Sequence, residues 1–291
     1  MNKTHTNSKY IRNMAALVSL AIAAGTPALF AGQKSGEKEP LARAHLAMPQ
    51  GAFASPDHPN RSVAQYLEKT YRDTLEIYRT KAVKDPAYVP KIAQSLIILG
   101  TLYHETERLE PAEQAYQQAL QAYRTLAKRD PVYRTEVANT AHVLALLYRR
   151  MQRLEKAEQA LRESLDNYRA LTVEDPTYGA EVAMALNNLG VVYQESRHAA
   201  AERVFTEAIT ACRSLVKQDP TYLANMAITL TNLGTLLHAM HRLEEAEKAY
   251  REAFTSFAAL AKKDPGYQPY VAMIRNHLAR LRYDTLRLEA I

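Results

Sequence analysis

The dipeptide Asp-Pro recurs at Asp85-Pro86, Asp130-Pro131, Asp175-Pro176, Asp219-Pro220 and Asp264-Pro265, at steps of 45, 45, 44 and 45 residues. A fixed period of this size marks stacked copies of one supersecondary unit. Each copy meets chiefly its neighbours, so function is expected on an extended surface rather than in an enclosed pocket. Proline has no amide hydrogen and disfavours helix in the residue before it, so each Asp-Pro ends one helix and opens the next.

The register defines four full copies, 85–129, 130–174, 175–218 and 219–263, and a partial copy, 264–291. Each opens Asp-Pro-x-Tyr. A first helix follows, with Leu96, Leu99, Gly100 and Tyr103 on one face, repeated as Leu186, Leu189, Gly190, Tyr193 and as Leu230, Leu233, Gly234, Leu237. Glycine inside a helix costs about 1 kcal/mol against alanine, so its reuse implies close approach of a neighbouring helix. The second helix alternates small and large residues along one stripe, Ala112, Tyr116, Ala119, Tyr123 and Leu126, then Ala246, Tyr250, Ala253, Phe257 and Leu260. A polar joint separates the two helices, as in Arg108-Leu109-Glu110, Arg153-Leu154-Glu155 and Arg242-Leu243-Glu244. Copy three lacks one residue near Arg197, which is expected to shorten its joint and not its helices.

Tyr71 and Tyr78 stand 45 residues before Tyr116 and Tyr123, so residues 61–84 are expected to form the second helix of a truncated opening copy, with Ser62 and Gln65 as a capping box. The closing copy reaches the polar joint again at Arg287-Leu288-Glu289. Ten helices are expected. Arg275, Arg280 and Arg282, beside Asn276 and His277, would give the closing helix the polar outer face that a solenoid end requires.

The first 60 residues break the period. Lys3, Lys9 and Arg12 precede the run Met14 to Phe30, apolar apart from Ser19 and Thr26, which is the layout of a secretory signal peptide over residues 1–31. An uncleaved inner-membrane anchor is the alternative, although the run is shorter than the ~20 residues a span needs. Residues 32–60, with Pro40, Pro49, Gly51, Pro56 and Pro59, read as a flexible linker. Periplasmic or secreted location is therefore expected, with no membrane span after cleavage. Loss of residues 1–31 removes three basic and no acidic side chains, which lowers the formal charge from +6 to +3. That small balance argues against nucleic acid as a partner. A lone cysteine, Cys212, fits an oxidising compartment, and its slot, filled elsewhere by Tyr123, Tyr168 and Phe257, marks it as a buried apolar group.

The spacing Leu, Leu-Gly, Tyr, then Ala, aromatic, Ala resembles the tetratricopeptide repeat. The segments Leu186-Asn187-Asn188-Leu189-Gly190 and Leu230-Thr231-Asn232-Leu233-Gly234 resemble its longer variant, found in kinesin light chains and bacterial repeat proteins. Two departures are visible: the period exceeds the common 34 residues by eleven, and Pro131 comes seven residues later than the family pattern places it. The resemblance covers residues 61–291 and implies an all-α fold, a right-handed superhelical solenoid of antiparallel helix pairs that binds protein segments in a concave groove lined by first helices.

No phosphate loop, Gly-x-Gly-x-x-Gly, His-Glu-x-x-His or paired-cysteine site occurs, so neither enzyme activity nor any cofactor or metal is expected. His238 and His241 lie three apart but lack a third ligand in the sequence nearby. The glutamates near Glu110 and Glu244 open second helices, where negative charge complements the helix dipole. The groove slots of the first helices read Gln94, Ile98, Thr101, Glu105; Asn139, Val143, Leu146, Arg150; Met184, Asn188, Val191, Glu195; and Ile228, Asn232, Thr235, Ala239. A neighbouring slot holds His142, Asn187, Thr231 and Asn276. Amides pair with peptide N–H and C=O groups, and aliphatics take apolar side chains. The resemblance implies that Asn187, Asn188, Asn232 and Asn276 bind peptide. Family members that clamp a C-terminal carboxylate use lysines where Ile97 and Thr101 stand, which argues against that ligand. The expected function is non-enzymatic scaffolding of a partner's peptide or amphipathic helix. A self-assembling structural protein and a nucleic-acid-binding helical repeat are the alternatives.

Overall fold

The computed structural model describes residues 59–289 apart from Ser196. The expected signal peptide and most of the linker lie outside the described residues, as does the side chain of Ser62 in the proposed capping box. Among the described residues there are ten α-helices and no strand. They are α1 (Pro59–Ala82), α2 (Val89–Glu105), α3 (Leu109–Ala127), α4 (Arg134–Arg150), α5 (Leu154–Thr172), α6 (Gly179–Tyr193), α7 (His198–Gln218), α8 (Leu223–Ala239), α9 (Leu243–Ala261) and α10 (Gln268–Glu289). The chain divides into two compact units between Arg129 and Asp130, a boundary that coincides with the second Asp-Pro. No described helix is long and apolar enough to cross a membrane.

Asp-Pro does more than interrupt. Asp85, Asp130, Asp175 and Asp264 are extended, and each carboxylate accepts the N–H of the residue two positions on, Ala87, Val132, Thr177 and Gly266, at 2.8–3.0 Å. Proline follows at the first position of a short 3-10 turn, where its missing N–H leaves nothing unpaired. The aspartate is therefore a helix N-cap and the proline its pre-set first residue.

Within the first unit, α2 and α3 form a hairpin and α1 packs on α2. Tyr116 of α3 sits against Gly100 of α2, where an added methyl carbon would lie 2.7 Å from two ring carbons. In the second unit, α4–α5, α6–α7 and α8–α9 are hairpins, each second helix packs on the next first helix, and α10 packs on α9. Phe205 covers Gly190 and Tyr250 covers Gly234 in the same manner. The core here includes Leu230, Leu237, Tyr250, Phe257, Ile274 and Leu281, with Cys212 buried among them. Each large apolar side chain so buried contributes about 1.5–3 kcal/mol.

The joints differ from expectation in one respect. At Glu107, Gln152 and His241 the backbone is left-handed, with φ near 60°, and the next residue's N–H reaches back five residues, from Arg108 to Tyr103, Arg153 to Tyr148 and Arg242 to Leu237. In copy three Arg197 reaches back only four, to Tyr193, at 2.7 Å. The deletion is taken up in the joint, but α6 also stops two residues earlier in register than α2 or α4. The predicted opening helix, 61–84, is shifted to Pro59–Ala82, and α10 runs through the residues expected to form a closing joint.

Candidate functional site

The first-helix face is built within each unit separately. In the first unit Gln94 and Ile98 are half-buried, and the Thr101 hydroxyl lies 3.0 Å from that of Tyr116. Thr101 is therefore tied to its own second helix. Burial pushes the Tyr116 hydroxyl up to about 12, so it stays a neutral partner for Thr101.

In the second unit the predicted amides are drawn together, chiefly with one another. Asn188 of α6 meets Nε2 of His142 on α4 at 3.0 Å, and Asn232 of α8 donates to Oδ1 of Asn187 on α6 at 2.9 Å. Each bond joins one first helix to the next, 45 or 46 residues on. Asn139 accepts from Tyr168 at 2.5 Å. The hydroxyls of Thr231 and Thr235 donate to backbone oxygens one turn back, and Tyr250 donates to Thr235. Asn276 on α10 is exposed, and Val143, Leu146 and Val191 are half-buried. The amide slots thus link consecutive helices, a pairing invisible in a single repeat and legible only when neighbouring slots of successive copies are compared.

His142 is buried, and burial, aided by the Arg149 charge, pushes its imidazole down to about 4. It is neutral at ordinary pH, and its Nδ1 has no hydrogen-bond partner among the described residues. Farther along, His238 of α8 bonds Asp284 of α10 at 2.9 Å, and the His277 ring stacks on Tyr250.

One slot of the second unit's first helices turns apolar side chains outward. Met184 of α6, Ile228 of α8 and Met273 of α10 occupy one slot in three successive first helices and are 41%, 39% and 39% exposed. Met273 belongs to this row by the 45-residue period once the closing helix is counted. Thioethers adapt to irregular apolar partners, which suits them to a recognition surface. Among the described residues no group of His, Cys, Asp and Glu could hold a metal ion.

Models of the tetratricopeptide repeat match residues 92–132, 136–214 and 226–264, together more than half of the chain. The chain belongs to the tetratricopeptide repeat proteins. Its fold is that of BtubC (BKLC) from P. vanneervenii, with a TM-score of 0.52 at 21% identity over 76% of this chain and 92% of that one. A variant of a putative kinesin light chain from Podosopora anserina, with nearly identical TPR-like repeats, gives 0.50 at 14% identity over 72% of this chain and 100% of that one. The apo form of RapI gives 0.59 at 10% identity over 97% and 72%. At these identities the likeness is one of fold. No curated protein sequence matches the chain. Tetratricopeptide repeats serve protein–protein interaction and scaffolding, and no catalytic family is among the models that match.

Proposed function

We propose that this tetratricopeptide repeat protein is an exported, non-catalytic scaffold that holds a peptide or amphipathic helix of a partner protein against the first-helix face of its second unit. The observation that carries the reading is the row of Met184, Ile228 and Met273, three exposed apolar side chains at one slot. The linked amides beside the row, His142 with Asn188 and Asn187 with Asn232, hold consecutive first helices at fixed spacing and so pre-organise it. Location in the periplasm or beyond rests on the basic start and apolar run of residues 1–31.

A photo-crosslinking residue at position 228 is expected to capture a partner in envelope extracts, and Met184→Asp is expected to abolish that capture. Val173, exposed at the end of a second helix, serves as the control position. Equal capture from positions 228 and 173 would overturn the groove reading. Cell fractionation with N-terminal sequencing tests export separately; an unprocessed cytoplasmic chain would sink it.

A further inference from the structure

The outer face of α10 is arranged differently from a plain polar end. Val271, Ile274 and Leu281 turn one side of the helix into the core. On the opposite side Ala272, Ala279 and Leu286 follow one another at seven-residue steps and share a face, with Tyr283 beside them. Tyr283 is 66% exposed and Leu286 56%. Arg275 and Arg282, again seven apart, border this strip on one edge, and Arg280 and Arg287 border it on the other.

These arginines are unspent. In the hairpins before α10, arginines pair across helices: Arg197 with Glu158 at 2.8 Å, Arg213 with Glu252 at 2.9 Å, Arg242 with Glu202 at 2.6 Å, and Arg169 with Glu207. None of the four exposed arginines of α10 forms an ion pair among the described residues; Arg275 lies over the Phe254 ring. The helix's Asp284 is engaged by His238. Solubility alone accounts for the charge, but not for a central strip that leaves tyrosine and leucine in water between two basic rails.

The register also says what the strip accommodates. Ala279 occupies the slot of Gly100, Gly190 and Gly234, which each receive an aromatic ring from the second helix. Where the slot holds alanine, at Ala145, the second helix offers Leu161 in place of the ring. Arg275 and Arg282 stand in the slots of Leu230 and Leu237. A helix laid here therefore meets alanine with leucine, and meets arginine with carboxylates.

We propose that this face of α10 docks an acidic amphipathic helix of a partner protein, its leucines on Ala279, Tyr283 and Leu286 and its flanking carboxylates on the two arginine rails. It is a second surface, which adjoins the row at Met184 only at Met273, seven residues before Arg280 on α10. Arginine suits the role because its planar fork pairs with carboxylates through two hydrogen bonds. A membrane fits less well: α10 is fixed by its buried side, and a strip with two alanines offers little to an acyl layer.

The test uses the full chain and a synthetic helix of about 20 residues with leucines at helical spacing flanked by glutamates. Binding that weakens as salt rises is expected, with about tenfold loss in Arg282→Gln plus Arg287→Gln. Ala279→Trp should block binding with every charge retained, and circular dichroism verifies that each variant folds. The proposal is overturned if the acidic helix does not bind, or if its lysine counterpart binds equally. It is also overturned if phosphatidylglycerol vesicles bind through these arginines and the peptide does not, or if the chain alone forms a dimer that Leu286→Ser dissolves.

Discussion

The ring of Tyr250 packs against Gly234, so that a methyl carbon at that glycine would stand 2.7 Å from Cδ1 and Cε1 of the ring. The same tyrosine donates its hydroxyl to Thr235, the next residue along α8, at 3.2 Å. The three positions vary together through the chain: Gly100, Thr101 and Tyr116; Ala145, Leu146 and Leu161; Gly190, Val191 and Phe205; Gly234, Thr235 and Tyr250. A ring requires glycine, and a phenol requires threonine.

Gly234→Ala is expected to destabilise by about 1–3 kcal/mol, because the overpacked ring outweighs the gain in helix propensity. Combined with Tyr250→Leu, the pairing seen at Ala145 and Leu161, the change should cost less than the sum of the two single substitutions. Urea melts arranged as a double-mutant cycle measure this; strict additivity refutes the contact.

Phe205→Tyr places a phenol beside Val191, where the equivalent slots hold Thr101 and Thr235. A buried hydroxyl without a partner costs about 1–3 kcal/mol. Adding Val191→Thr should recover most of that loss. Thermal melts of the single and double variants decide it, and an unrescued double variant would count against the hydroxyl pairing.

His142 gives the second unit a pH dependence of known sign. Its folded value, about 4, lies below the ordinary 6.5, because burial opposes the charge and Arg149 adds to the effect. The unfolded chain therefore binds more protons between those values, so this contribution to stability is full above 6.5 and falls as pH drops towards 4. His142→Asn, which copies the Asn187 and Asn232 pairing, should flatten that slope by about 1–3 kcal/mol across the window. Melting temperatures from about pH 4 to 7 measure it; an unchanged slope would show that another group is responsible.

Cys212 is buried and burial pushes its thiol up to about 11. At neutral pH a thiol reagent should not label the folded chain, and labelling should rise only as denaturant opens the second unit. Rapid labelling in native buffer would mean that the α7 slot is open to solvent.

The period, the ten helices, the hairpin pairing and the close contacts at glycine were all legible in the sequence, because backbone rules at proline, glycine and helical spacing act locally and repeat. The Asp-Pro step locates each boundary, and the start of α1 departs from its expected place by only two residues. The fate of the groove residues was not legible. Asn188, Asn232 and His142 read as open amides and a polar ring, each on its own helix, yet tertiary packing sets Asn188 against His142 and Asn232 against Asn187, 46 and 45 positions away. Hydrogen bonds between successive helices depend on helix spacing and rotation, which no single repeat encodes. For the same reason only the folded chain reveals which side chains remain for a partner: Met184, Ile228 and Met273 on one face, and the unspent arginines of α10 on another.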